Sequence, residues 1–280
     1  DVLGPVMRGP SSSHSAASLR IGRIARDLMD SDITGVTVDY DPNGSLVTTH
    51  KSQGSDLGLS GGLMGWETDD SRLPDYENEV QVAGIEIDIR YISYGAEHPN
   101  TYRLSLRGHR NEHTMTAIST GGGMIEVQEV DGVSLSLKGD YYEILLYVDR
   151  LDDGLLGWLN EGPFDEVVVA EGENLSIVNV KTRNLPDNDL IDEFKAHQSV
   201  NSVKILNPVL PVLARKNMDV PFSDVEQMVQ YRKNKDQGMR LGELGALYES
   251  ERAGISLTEV SQRMQSLVEV MEKSIRTGLE

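Results

Sequence analysis

Gly9-Pro10-Ser11-Ser12-Ser13-His14 opens a run in which Ala17, Ile21, Ile24, Ala25 and Leu28 recur at helical spacing, with Arg20, Arg23 and Arg26 opposite. The pattern predicts an amphipathic helix whose first turn is the serine run. The first N–H groups of a helix lack internal partners, and that end carries partial positive charge. An anion can bind there, with the serine hydroxyls and His14 as further donors to a carboxylate or phosphate. The plainer alternative is that Ser11, Ser12 and Ser13 only cap the helix.

Working outward, residues 36–40 alternate as a strand and end at the turn Asp41-Pro42-Asn43-Gly44. Residues 51–65 are too punctuated by glycine to define an element. Alternation returns at 85–92, 101–106 and 124–130, so the region reads as strands broken by glycine loops with a few helices, an α+β pattern. From Tyr142 the order becomes strand, helix, strand, strand, helix, strand, ending at residue 206. A β-α-β-β-α-β order is ferredoxin-like, the pattern of small-ligand regulatory domains of the ACT type. Pro208, Pro211 and Pro221 mark a linker, and beyond it Ser223 with Glu226, and Ser256 with Glu259, have capping-box spacing. Val260, Met264, Leu267, Val268, Met271 and Ile275 form an apolar stripe that reads as core or interface. Three regions are therefore expected: 1–140, 141–215 and a helical 216–280.

Composition removes several function classes. With 26 basic against 45 acidic residues the formal charge is −19, which repels nucleic acid and anionic membranes. The sequence has 0 cysteines, so it offers no disulfide and no thiolate for zinc, an iron-sulfur cluster or nucleophilic catalysis. No long apolar run or leader pattern is present, and the chain reads as a cytoplasmic protein.

Other segments can carry chemistry. His98-Pro99-Asn100 precedes a strand and would fix an imidazole and an amide at its edge. Ser119-Thr120-Gly121-Gly122-Gly123 interrupts strand-like sequence with glycines that permit close backbone approach to a ligand, or simply a tight turn. Lys51-Ser52-Gln53-Gly54-Ser55-Asp56 is a polar glycine loop. His109 and His113 have the spacing of a metal pair on a helix, but Gly108 and Asn111 favour an exposed hairpin tip; His50 and His197 read as surface residues.

Taken in order, Gly4-Pro5-Val6-Met7, Gly9 to His14, the Lys-x-x-Gly-Ser-Asp loop, His98-Pro99-Asn100 and Ser119-x-Gly-Gly-Gly resemble the β domain of bacterial iron-sulfur L-serine dehydratases. The resemblance covers roughly residues 1–140, and an ACT-like region follows it as in the family's two-subunit members. Gly254-Ile255-Ser256 and the final helix resemble the opening of the family's α domain, which carries the cluster-ligating cysteines. What this implies is conversion of L-serine, or a related β-substituted amino acid, to a 2-oxo acid and ammonia. A 4Fe-4S cluster, ligated by cysteines outside this sequence, acts on the β-hydroxyl while a base takes the α-proton. The implied partners are a cysteine-bearing α domain or subunit, a small amino-acid substrate, an amino-acid effector at the ACT-like domain, and further copies in a homo-oligomer.

Carried over by position, Ser11, Ser12, Ser13 and His14 surround the substrate carboxylate or cluster edge, His98 and Asn100 face the substrate, and Ser119, Gly121 and Gly122 complete the pocket. Gln53 departs from the pattern: the family has histidine there, its favoured α-proton base, and glutamine takes no proton at useful pH. A relocated catalytic base (His14, His98, or His50 on a different loop path), another substrate for the same chemistry, or a purely regulatory chain would each explain it. The same β fold also resembles the allosteric domain of some phosphoglycerate dehydrogenases, so a non-catalytic amino-acid-binding role is the alternative.

Overall fold

The computed structural model describes residues 6–210, 220–235 and 238–280. Gly4, Pro5 and Pro211 lie outside the described residues. Contacts divide the chain into two compact units, 1–211 and 212–280.

In the first unit a π-helical turn, Ser12–Ala16, runs into α1 (Ala17–Leu28). There follow β1 (Gly35–Tyr40), α2 (Leu46–Thr49), α3 (Ser55–Leu63), α4 (Tyr76–Ala83), β2 (Glu86–Tyr91), β3 (Thr101–Arg107), β4 (Glu112–Gly121), β5 (Met124–Val130) and β6 (Val133–Leu137). The strands form one mixed sheet in the order β2-β1-β3-β4-β5-β6, with β1 and β2 parallel and the other neighbours antiparallel. The α+β expectation holds.

Ile21, Ile24 and Leu28 of α1 are buried in one core with Val36, Val38, Tyr102, Leu104, Met115 and Val127 of the sheet. The arginines are not simply solvent-facing as the spacing predicted. Arg20 is 4% exposed and its Nη1 donates to Gly123 O at 2.5 Å, while Arg26 Nη1 donates to Leu63 O at 2.8 Å.

The glycine-rich stretch after residue 51, assigned no element from sequence, contains α3. Glycine disfavours helices by about 1 kcal/mol relative to alanine, yet here it permits contact. A Cβ on Gly62 would lie 2.0 Å from Leu19 O, one on Gly58 2.1 Å from Ser15 O, and one on Gly22 2.5 Å from Leu59 O. The backbones of α1 and α3 touch, and no larger residue fits between them. β4 and β6 were also unforeseen; β4 carries bulges at Thr116/Ala117 and Ser119/Gly121 that break its alternation.

The second sheet comprises β7 (Tyr142–Val148), β8 (Glu166–Glu171), β9 (Ser176–Thr182) and β10 (Ser202–Leu206), with α5 (Asp153–Glu161) and α6 (Asn188–Ala196). Its order is β10-β7-β9-β8, antiparallel throughout, the ferredoxin-like arrangement. Asp152 and Asp187 cap the two helices, accepting from Leu155 N at 3.2 Å and Leu190 N at 2.8 Å. Ile144, Leu146, Val178 and Val180 pack with Leu155, Leu159, Ile191 and Phe194 on the helical face. The opposite face, with Leu145, Tyr147, Ile177 and Leu206, joins the core of the first sheet. Glu143 sits on that same face, where its Oε2 accepts from Asn179 Nδ2 at 2.6 Å. Its Oε1 and Asn179 Oδ1 are buried with no partner, and burial pushes the Glu143 carboxyl up to about 7.

The second unit holds α7 (Val225–Lys235), α8 (Leu241–Ala253) and α9 (Leu257–Leu279). Ser256 Oγ accepts from Glu259 N at 3.1 Å, as its spacing predicts. The first capping-box expectation is corrected: Asp224 Oδ1 accepts from Gln227 N at 2.8 Å, and Ser223 instead pairs with Gln227 Oε1 at 3.0 Å. Asp224 lies next to the first helical residue and takes the cap. Along the apolar stripe Val260 is buried, whereas Met264, Val268, Met271 and Ile275 are exposed. Among the described residues no helix is long and apolar enough to cross a membrane.

Candidate active site

The serine run does not cap its helix. Ser11 is the N-cap residue, but its side chain accepts no backbone hydrogen bond. Instead Ser11 Oγ lies 3.1 Å and Ser13 Oγ 3.4 Å from His14 Nδ1, and Thr49 Oγ1 lies 3.2 Å from His14 Nε2. Ser12 is half-buried beside them. Burial lowers the His14 pKa below its ordinary value, which favours a neutral ring near pH 7. Hydroxyls thus surround both ring nitrogens on the first turn of a helix.

Two segments converge on this turn. Ser119 Oγ donates to Ser13 O at 2.6 Å, fixing the end of β4 against it. Gly121, Gly122 and Gly123 all have positive φ and form the β4–β5 turn, the tight-turn alternative, while Arg20 holds Gly123 O. Ser15 Oγ donates to Gln53 O at 3.1 Å, and Gly54, at φ +82, leaves no room for a Cβ beside Ser15 Oγ. Gln53 therefore reaches the cluster through its backbone. Its side chain is half-buried.

His98-Pro99-Asn100 docks on the start of α2. Ser45 N donates to Pro99 O at 2.8 Å, Ser45 Oγ hydrogen-bonds Asn100 Oδ1, and Asn100 O accepts from Ser119 N at 3.1 Å. The His98 ring turns back on its own loop, where Nδ1 accepts from Asn100 N at 3.1 Å. The structure thus gathers Ser11, Ser13, His14, Asn100, Ser119 and the backbone of Gln53, with no direct bond from His98 to His14 among them. Asp41 holds the strand-to-loop connection upstream of His98, its carboxylate accepting from Tyr94 N at 3.0 Å, Gly95 N at 2.8 Å and Ala96 N at 3.2 Å. These bonds and the one from Asn43 N hold Asp41 well below the usual carboxylate range. Asp41→Ala is expected to strip hydrogen-exchange protection from residues 94–96; unchanged protection would show that the loop is held by other means.

His50, read from sequence as a surface residue that could serve as the base only on a different loop path, is buried. It is 5% exposed, its Nδ1 lies 2.7 and 2.8 Å from the Asp56 carboxylate oxygens, and its Nε2 lies 2.8 Å from Tyr91 Oη. Tyr40 flanks it at 5.4 Å between ring centroids, and the Tyr40 hydroxyl is buried without a partner. Tyr102 Oη pairs with Ser55 Oγ at 2.9 Å in the same cluster. The available signal was Asp56, six residues on and across the turn at Gly54, which brings acid and imidazole together. His113 is another correction: the hairpin tip exists and His109 is exposed, but His113 lies on β4 with Nδ1 2.7 Å from Asp131 Oδ2. His197 is half-buried and stacks on Trp158 at 6.2 Å.

Two open hollows, one over Thr37, Asp88 and Arg107 and one over Asp149, Asp152 and Asn201, contain none of these residues. Among the described residues no group of three or more His, Asp or Glu is placed to hold a metal. With 0 cysteines as well, the residues present do not fit an iron-sulfur cluster.

No protein-family model matches the chain. The chain is 38% identical over 146 residues to the probable L-serine dehydratase β chain of Bacillus subtilis (strain 168), covering 52% of this chain and 66% of that one. It is 30% identical over 148 residues to the L-serine dehydratase β chain of Peptoniphilus asaccharolyticus, again covering 52% of this chain and 66% of that one. In both cases the match spans just under two thirds of the relative. Over about half of its length, the half that holds the serine–histidine turn and the motif loops, the chain is thus similar to L-serine dehydratase β chains.

Proposed function

We propose that this chain supplies the cysteine-free half of an ammonia-lyase site acting on L-serine or a related β-substituted amino acid, giving a 2-oxo acid and ammonia. The observation that carries the proposal is the cluster of Ser11, Ser13 and Thr49 hydroxyls about a half-buried His14 on a helix start. Hydroxyl donors, helical N–H groups and the positive helix end suit a carboxylate. In this reading Asn100 and Ser119 fix the wall behind the substrate, and His98 lies on the loop beside it.

The β-chain names of the relatives support a separate cysteine-bearing α part as partner. An iron-sulfur cluster would belong to that part. Elimination needs an α-proton acceptor and help for a poor leaving group; Gln53 provides neither. Residues 1–140 would form the substrate region, the ferredoxin-like sheet within 141–215 would be the seat of an ACT-type amino-acid effector, and 216–280 would be the start of the α part, in a homo-oligomer.

Anaerobic reconstitution with the cysteine-bearing part of a relative tests this. A brown, oxygen-sensitive complex that forms pyruvate from L-serine is expected. A colourless or inactive complex overturns the proposal. Gln53 also favours a second reading, a non-catalytic amino-acid sensor, which predicts calorimetric binding of L-serine to the chain alone without turnover.

A further inference from the structure

Elimination from an amino acid requires something to take the α-proton, and Gln53 cannot. One residue from the serine–histidine cluster, on the far side of Thr49, the fold builds a chain of three titratable groups that this cluster does not use. Asp56, in the first turn of α3, lies 2.7 Å from His50 Nδ1, and His50 Nε2 lies 2.8 Å from Tyr91 Oη. Asp56 and His50 are 8% and 5% exposed, whereas Tyr91 is 52% exposed at the end of edge strand β2. The chain therefore runs from a buried carboxylate, through a buried imidazole, to a phenol that solvent and ligands can reach.

The geometry sets the direction of proton flow. A carboxylate on Nδ1 keeps the imidazole proton there, so Nε2 is the acceptor and the Tyr91 hydroxyl donates to it. This is the arrangement in which an orienting acid and a base activate a third, accessible group. Thr49 bonds to His14 Nε2 and is followed directly by His50, so both systems are attached to one turn of backbone. Tyr40 and Tyr102 wall the other side, and burial pushes both of their hydroxyls up, leaving them protonated and out of the exchange.

We propose that Tyr91, backed by His50 and Asp56, is the group that exchanges the α-proton in this chain. The proposal rests on the ammonia-lyase reading above. Tyr91 Oη takes the α-proton as its own proton passes to His50 Nε2, and the Asp56 carboxylate holds the imidazolium. The Cα–H electron pair becomes the Cα=Cβ bond and the Cβ–O pair leaves with the oxygen. The proton on His50 returns through Tyr91 to make that oxygen water, and the relay ends as it began. Tyr91 would be the catalytic residue, with His50 and Asp56 positioning residues behind it.

The test uses the complex with the cysteine-bearing part, L-serine as probe, and two readouts, pyruvate formation and exchange of the α-hydrogen in deuterium oxide. Tyr91→Phe removes one exposed oxygen and is expected to fold. It should lower kcat and α-exchange together by roughly a hundredfold or more, the usual scale of a lost general base, with KM within about threefold. His50→Gln should lower kcat and α-exchange together with little change in KM, and the double variant with Tyr91→Phe should lose no more than either single variant, which a merely structural histidine would not give. If wild type is active and Tyr91→Phe keeps its rate and pH profile, the relay is overturned and the lyase reading stands. A wild-type complex that leaves L-serine and its α-hydrogen untouched overturns the lyase reading, and the relay with it.

Discussion

Alanine at Gly62 is expected to lower the stability of the first unit by about 3 kcal/mol, the upper end for overpacking. The added Cβ would sit 2.0 Å from Leu19 O and 2.8 Å from Arg23 N and Gly22 Cα. All three are backbone atoms, so no rotamer change relieves the clash and α3 must back away from α1. The melting temperature should fall by roughly 6 to 12 °C for a unit of this size. Gly157 in α5 is the control: a Cβ there meets nothing within 4 Å. Gly157→Ala should be neutral or stabilise by up to about 1 kcal/mol. If the two variants melt alike, the close contact between α1 and α3 is not where stability resides.

Glu143→Gln is expected to stabilise the protein at pH 8 and to have little effect at pH 4.5. Burial pushes the Glu143 carboxyl from 4.5 up to about 7. A folded-state value above the unfolded one means that the fold prefers the protonated acid. Its contribution is therefore full below the unfolded value and is lost as pH rises through about 7. A shift of that size corresponds to about 3 kcal/mol between the two limits. The geometry agrees, because Glu143 Oε1 and Asn179 Oδ1 both lack a donor and a protonated carboxyl supplies one. Glutamine keeps the shape, cannot ionise and brings its own N–H donors. Denaturant titrations at pH 4.5, 6 and 8 read the difference directly; parallel pH dependence of wild type and variant would rule Glu143 out as the titrating group.

The same physics explains what could be read from sequence. α1, β1, β2, β3 and β5 were legible because their apolar residues recur at the helix or strand period; burial itself is less one-sided, since all of β1 but Thr37 is buried. The β7-to-β10 order was legible because short turns with Asp caps separate its elements. α3 was hidden: its glycines suggest a loop, and only a partner helix, absent from any local window, makes them an interface. β4 was hidden by its bulges. At the site, the serine run was visible as a helix start, but local patterning left capping and binding equally open, and the hydroxyls turned out to face His14. His50 was misread because its acid lies beyond a turn that only Gly54 permits. Tyr91 carried no signal, since an edge-strand tyrosine becomes informative only when a buried imidazole points at its hydroxyl.

α1 is held at its far end, where Asn207 N and Nδ2 donate to Asp27 at 2.8 and 3.0 Å and Lys204 Nζ meets Asp30 at 2.7 Å. At its near end Ser15 and Arg20 tie it to Gln53 O and Gly123 O. A helix of 12 residues spans about 18 Å, and mechanically it behaves as a beam clamped at both ends. Thermal swing of the surrounding loops then adds little to the spread of the His14 ring, whose location is referenced to two sheets at once.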